Sequence, residues 1–475
     1  MIEPPGSRSA ALRQLADQAL SRAAGAPLVA GNAVRSLRDA AENYPAWLAS
    51  IEAAQRSIFF ESYIIADDEI GRRFRDALAA RSRAGVRVRV LYDWLGSPGK
   101  LVGRFWKPLQ DAGALVRAFN PPRLDSPLGW LLRDHRKSIA VDGEVAYISG
   151  LCVAKSWTGD PAKGREPWRD TGIEIRGPAV ADVERAFAQA WAATGDQLGN
   201  DELTDPAAIA RAGDVAVRVL AGAPASAGVL RLDQLIASIA RSRLWLTDAY
   251  FVPVSSYVQG LCAAARDGVD VRLLVPGASD IPLLAPLSRT GYRLLLDAGV
   301  RVFEWNGTML HAKTAVADGR WARVGSTNLN LASFIGNYEL DVAVEDDAFA
   351  AAMERQYRDD LCNATEIVVH RPRRGVRPVA PRDGGDRPRR ARSGSAGRAA
   401  AGAFRIGSAV GAALTHPREL GNADGKILAS AAAALLAIAA VGAAWPRALA
   451  WPLAVVSVWF AVSFAIRAWR VRRSG

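Results

Sequence analysis

Two stretches of this chain each place a His, a Lys two residues on and an Asp five residues beyond that: His135, Lys137 and Asp142 in DHRKSIAVDG, then His311, Lys313 and Asp318 in HAKTAVADG. The 475 residues hold only 4 His and 7 Lys, so a given His meets a Lys and an Asp at those offsets by chance roughly once in a thousand times. Two such triplets require a shared chemical reason. Residues i and i+2 of an extended strand face the same side, so each triplet offers one imidazole and one ammonium to the same space. An imidazole can attack or carry a proton near neutral pH, and an ammonium can hold an anionic oxygen. Brought together, the two triplets suit a phosphodiester. One His attacks phosphorus, the other protonates the leaving oxygen, and the lysines hold the non-bridging oxygens. Since the lysines already supply the charge a metal would bring, no cofactor is expected.

The elements that must position these residues occur twice. A β-rich run over 57–65, an amphipathic helix over 70–83, a strand over 86–92 and a Gly-led strand over 111–119 precede the first triplet. The same order returns over 242–250, 256–266, 269–276 and from 297, an offset that stays near 185 residues. It drops to 176 at the triplets because the first half carries a longer insert, residues 120–133. The expectation is a duplicated α/β unit, with the two copies facing each other across the site. The insert puts Leu128, Trp130, Leu131 and Leu132 just before His135. These residues, with Phe105 and Trp106, could form a lip that grips an acyl chain; the alternative is a loop packed on the body.

The paired triplets resemble the HxKxxxxD signatures of the phospholipase D superfamily, over roughly residues 30 to 365, and within it the chain is most similar to bacterial cardiolipin synthases. The segments IFFESYIIADDEIGRRFRDAL, RDHRKSIAVDG, WRDTGIEIRGPAV, LTDAYFVP, LLLDAGVRVFEW, HAKTAVADG, GSTNLNLASF and NYELDV carry the likeness. The family's first motif usually continues Gly-Gly-x-Asn; here it reads Ser149-Gly150-Leu151-Cys152, whereas the second keeps Gly325, Ser326 and Asn328. The resemblance implies paired phospholipase D-like α/β sandwich units with the site between them. It also implies catalytic roles for both triplets, with His135 as nucleophile and His311 as acid. Asp170 and Glu339 would orient the histidines, and Ser149, Ser326 and Asn328 would support them. The reaction implied is phosphatidyl transfer making cardiolipin from phosphatidylglycerol.

Composition bounds the alternatives. Cys152, Cys262 and Cys362 lie far apart without metal spacing, which reads as a reduced compartment. Cys152 beside the motif reads as a small buried residue, with a nucleophile as the other possibility. Residues 1–28 are polar and Ala-rich, with a short helix over 10–24, and no signal peptide is evident. The basicity sits in the tail. Residues 371–398 carry net +8 and 399–475 net +6, leaving −2 for the first 370. The expected layout is thus an N-terminal segment to 28, half 1 over 29–198, half 2 over 214–370, and a basic linker over 371–426. A two-helix membrane hairpin follows over 427–466, where two uncharged 19-residue runs flank Pro446-Arg447. A run of about 20 apolar residues can cross a bilayer, although the Ala-rich first run leaves a re-entrant hairpin as an alternative. The catalytic body would then be cytoplasmic at the inner membrane, its linker on the anionic leaflet. A body of charge −2 offers no evident track for nucleic acid. A hydrolase giving phosphatidic acid and a catalytically silent scaffold stay as further readings.

Overall fold

The computed structural model describes residues 5–97, 104–122, 132–281 and 284–368, together with scattered positions between 436 and 462. Fifteen strands form one sheet: β1 Val29–Arg38, β2 Ser57–Ser62, β3 Arg87–Asp93, β4 Leu115–Phe119, β5 Lys137–Val141, β6 Val145–Ser149, β7 Thr171–Arg176, β8 Val215–Gly222, β9 Arg243–Thr247, β10 Asp270–Pro276, β11 Arg301–Trp305, β12 Thr314–Ala317, β13 Trp321–Gly325, β14 Glu339–Glu345 and β15 Ala364–Ile367. Their spatial order is β15-β11-β10-β9-β12-β13-β14-β8-β1-β7-β6-β5-β2-β3-β4. Reading outward from the β8–β1 seam, the two sides repeat each other strand for strand until β15 extends one edge. The expected duplication is therefore present in the hydrogen-bond topology.

In each half a parallel pairing, β2 to β3 or β9 to β10, lies beside an antiparallel hairpin, β5 to β6 or β12 to β13, that carries the triplet. The central strands β2, β5, β6, β12 and β13 are buried at every residue. That is why they read as unbroken apolar runs with small polar insertions: helices cover both faces. One apolar cluster joins the halves, with Phe59, Phe187 and Trp191 from the first packed in it alongside Trp245, Leu274 and Met353 from the second. Separate clusters fill the outer layer of each half. Local signals agree with this placement. The helix Glu69–Arg83 starts where the Asp68 side chain accepts the Gly71 N–H, and the helix Asp347–Leu361 where Asp346 accepts that of Phe349, caps worth about 1 kcal/mol each.

The N-terminal helix runs Pro5–Ala24, longer than expected, and seats Leu20 and Ala24 in the outer cluster of half 2. Two expectations about the lip change. Phe105 and Trp106 are buried and packed together, Trp106 stacking on Tyr92 at 5.1 Å, so they belong to the core of half 1. Leu128, Trp130 and Leu131 lie outside the described residues; Leu132, which is described, is exposed. The linker 371–426 also lies outside them, as does most of the hairpin 427–466. Among the described residues no helix is long and apolar enough to cross a membrane.

Candidate active site

The site forms where the two halves meet, because each triplet is stitched to the opposite half just before its histidine. His135 N–H donates to the Tyr338 carbonyl at 2.8 Å and Tyr338 N–H to that of Arg133 at 2.8 Å; His311 N–H donates to the Arg169 carbonyl at 2.7 Å and Arg169 N–H to that of Met309 at 2.9 Å. The residue after each of these partners is an acid. The consequence is a crossed pairing. Glu339 of half 2 accepts from Nδ1 of His135, its oxygens 2.9 and 3.1 Å away, and Asp170 of half 1 accepts from Nδ1 of His311 at 2.8 Å. Both rings and both acids are buried. A carboxylate on Nδ1 fixes the tautomer and directs Nε2 at the reacting centre.

The two carboxylates are held differently. Ser326 donates its hydroxyl to Glu339 at 2.6 Å and Asn337 its amide at 3.1 Å. Asp170 takes the Trp157 indole N–H at 2.8 Å. Gly150 stands where half 2 has Ser326, and a Cβ there would come within 2.2 Å of the Asp170 carboxylate. Burial pushes Glu339 up, against the pull of Lys137, Ser326 and Asn337. Burial also pushes Asp170 up, but His311, Lys313 and Trp157 outweigh it and hold this acid below the ordinary carboxylate range.

The lysines stand with the histidines as the i, i+2 spacing requires. Lys313 Nζ lies 2.8 and 3.1 Å from the two ring nitrogens of His311 and donates to the His311 carbonyl; Lys137 Nζ donates to the His135 carbonyl. Burial, then the neighbouring Lys313, lowers His311 to about 4, so the ring is neutral at pH 7. Burial, then Lys137, lowers Lys313 to about 8, against the opposing pull of Asp170 and Asp248. Aromatic rings wall the site. Trp157, Trp168 and Tyr250 pack around His311 with centroids at 5.3, 5.7 and 5.6 Å, and Tyr63 packs on His135 at 5.0 Å. Such walls exclude water and strengthen each charge within them.

Not every residue singled out from the sequence joins this group. Asp142 and Asp318 stand at the far ends of their strands, about 16 Å along the chain from Lys137 and Lys313 at about 3.3 Å per residue. Each adopts a left-handed φ, 55° and 52°, in a tight turn with a following Gly. Asp142 accepts the backbone N–H groups of Gln55, Arg56 and Ser57 at 2.7–2.8 Å, and Asp318 those of Arg241, Ser242 and Arg243 at 2.8–2.9 Å. They fix the start of β2 and β9. Ser149 donates to the Leu151 carbonyl at 3.3 Å and does not reach the acids. Asn328 donates to Ser333 at 3.4 Å. Cys152 is buried, and burial pushes its thiol up, as suits a small core residue.

Sequence reasoning missed Trp157, Trp168, Tyr63, Tyr250 and Asp248. Asp248 is buried behind Lys313, and burial raises it to about 7 against the pull of the Leu329 N–H and Lys313. Tyr63 follows β2 and Tyr250 lies three residues past β9, each before an apolar pair, Ile64-Ile65 and Phe251-Val252, and that repeat was the available signal.

The chain matches the family model described as "Cardiolipin synthase, PLD-like domain" over residues 47–191 and 232–361. It is 31% identical over 347 residues to a cardiolipin synthase of Alkalihalophilus pseudofirmus, covering 72% of this chain and 68% of that one. It is 33% identical over 335 residues to a cardiolipin synthase of Geobacillus kaustophilus, covering 70% and 66%, and 33% identical over 351 residues to cardiolipin synthase A of Pseudomonas fluorescens, covering 72% and 71%. The chain thus spans about two thirds of the length of these relatives. Among solved structures, a phosphatidylserine synthase of Haemophilus influenzae shares the fold, with a TM-score of 0.57 at 15% identity over 74% of this chain and 91% of that one.

Proposed function

Because the chain belongs to the cardiolipin synthase family of phospholipase D-like proteins, we propose that it joins two phosphatidylglycerol molecules into cardiolipin and free glycerol through a phosphohistidine. The observation that carries this reading is the pair of imidazoles, each oriented by a carboxylate of the opposite half and each followed by a lysine. That set supplies a nucleophile, an acid and two cations at one phosphorus.

With Nδ1 turned to Glu339, His135 attacks the phosphorus of the first lipid through Nε2. The phosphorus–oxygen bond to the glycerol headgroup breaks, and His311, as imidazolium, gives its proton to the departing oxygen. His311 is neutral in the free site because it is buried and Lys313 lies against it. An anionic phosphodiester seated on the lysines offsets that charge and restores the imidazolium. Neutral again after the first step, His311 takes the proton from a headgroup hydroxyl of the second lipid. That oxygen attacks phosphorus, the phosphorus–nitrogen bond breaks, and His135 is regenerated. Water in place of the second lipid gives phosphatidic acid. The aromatic walls around both rings favour the lipid acceptor by keeping water scarce.

The bilayer location is part of the same proposal. The uncharged runs of 427–466 anchor the chain, and the basic linker follows the anionic leaflet. Trp451, Val455, Val458 and Val462, apolar, helical and exposed, recur at the spacing of one helix face and support contact with lipid. Phosphorus-labelled phosphatidylglycerol and a denaturing quench at neutral to alkaline pH, which spares the acid-labile phosphorus–nitrogen bond, test the chemistry. Phosphatidyl label should be trapped on His135, be absent from His135→Ala, and fall sharply in His311→Ala, where the departing glycerol oxygen has no proton donor. Label on His311 instead would exchange the two roles, and no label on either ring would end the covalent mechanism.

A further inference from the structure

Half 1 has a pair of buried carboxyl groups beside its triplet, Glu61 and Asp134, that has no counterpart at the same positions of half 2. Glu61 on β2 and Asp134, the residue before His135, are 1% and 0% exposed. Glu61 Oε2 accepts the Ser138 hydroxyl at 2.8 Å and Asp134 Oδ1 accepts the Arg136 N–H at 3.3 Å. The remaining oxygens, Glu61 Oε1 and Asp134 Oδ2, are buried and receive no N–H or hydroxyl donor. The two carboxyl groups lie within hydrogen-bonding reach of each other. Two ionised carboxylates have only acceptors to offer, so a contact between them requires a proton.

Charge balance gives the same count. Arg136 is fully buried and faces both acids. One cation and two carboxyl groups are neutral when one proton is retained. The other charges nearby are Lys137, on the neighbouring strand position, and Asp93, which is paired with Arg133 at 3.0 Å. The helix Val180–Ala192 contributes only the Ala186 carbonyl and the Gln189 amide, both to Arg136. Burial, then repulsion by Glu61, holds Asp134 well above the carboxylate range.

We propose that Glu61 and Asp134 share a single proton and, by neutralising Arg136, act as positioning residues for Glu339 and His135. Arg136 is the link: its Nε donates to the Glu339 carbonyl at 3.1 Å and its Nη2 to that of Gly222 at 2.8 Å, which ties the first triplet to the opposite half. In half 2 the corresponding positions, 176 residues on, are Leu310 and Ala312, and Thr247 takes the place of Glu61 opposite Thr314. His311 therefore has no counterpart of the Glu61–Asp134 pair, and a second negative charge on that pair would disturb the half that holds His135.

The infrared spectrum of the purified full chain tests proton sharing independently of lipid turnover. At pH 7 the wild type should show a protonated-carboxyl carbonyl band that is lost in both Glu61→Gln and Asp134→Asn, because one proton serves both groups. The kinetic arm rests on the phosphatidyl transfer proposed above. Glu61→Gln, whose amide N–H can replace the shared proton, should keep kcat within about threefold, while Glu61→Ala should lose roughly tenfold or more. Glu61→Gln should remove the part of the alkaline fall in kcat that ionisation of the pair causes and keep the fall set by Lys313. A band unaffected by either isostere, or equal losses for Gln and Ala, would overturn the proposal. If Glu61→Ala does not fold, the infrared comparison of the two isosteres decides alone. Loss of the band in a protein that makes no cardiolipin would refute the function and leave the pair standing.

Discussion

Replacing Glu339 by Gln removes the charge that holds His135 and leaves the shape of the site. In the native site the Glu339 carboxylate meets Nδ1 of His135 at 2.9 and 3.1 Å, with both partners buried. A hydrogen bond to a charged group contributes about 1.5–3 kcal/mol. Since about 1.4 kcal/mol is a factor of ten in rate, kcat/KM should fall roughly 10- to 150-fold while the protein stays folded. The assay pairs cardiolipin formation with ¹⁵N spectra of histidine-labelled protein, which are simple because the chain has only 4 His. The crossed geometry makes a specific demand on those spectra. Glu339→Gln must move the ring signals of His135 and leave those of His311, and Asp170→Asn must do the reverse. A folded Glu339→Gln protein with more than a third of wild-type kcat/KM, or a shift confined to His311, would refute the reasoning.

Two other outcomes follow from the same structure. Asp142→Asn should lower thermal stability by about 2–4 kcal/mol, because a carboxylate that takes three backbone N–H groups is lost; calorimetry should show this with kcat of the folded fraction unchanged, and a large kcat loss at unchanged stability would return Asp142 to the catalytic group. The pH dependence has two signs. Lys313 loses its proton at about 8, so kcat/KM should fall as pH rises through that value, and a flat profile to pH 9.5 would contradict it. His311 is lowered from 6.5 to about 4, so between those values the unfolded chain binds more protons than the folded one. Its contribution is present above 6.5 and is lost as pH falls towards 4, by about 3 kcal/mol, which denaturant titrations at several pH values would measure.

The duplication was legible because it leaves its trace in spacing: the offset near 185 residues maps β2, β3 and β4 onto β9, β10 and β11. The i, i+2 rule likewise placed each Lys with its His. Sequence spacing did not reveal which acid serves which ring. Asp170 follows His135 and Glu339 follows His311, yet each crosses to the other half, and this is fixed by bridges between Asp134 and Tyr338 and between Arg169 and Leu310. Such contacts between distant segments have no local periodicity. The strand-anchoring bonds of Asp142 and Asp318 were hidden for a related reason: a short motif shows that residues recur together, whereas their positive φ and three backbone donors show a turn that anchors a strand. Of the two readings for Phe105 and Trp106, a lip or a packed loop, the second holds: Trp106 stacks on Tyr92 and Phe105 packs edge-on against Trp106. The aromatic walls fell outside any motif because Trp157 comes from the short helix Lys155–Thr158, Trp168 from the loop before β7, and Tyr63 and Tyr250 from just past β2 and β9.

Vesicles of phosphatidylglycerol alone, incubated with the full chain, test the central claim most directly, because the lipid is donor and acceptor at once. An imidazole-bound phosphatidyl group, shielded by the Trp157, Trp168 and Tyr250 walls, should pass to a second lipid faster than to water. The account predicts glycerol and cardiolipin released in equal amounts with phosphatidic acid a minor product; phosphatidic acid exceeding cardiolipin would contradict it.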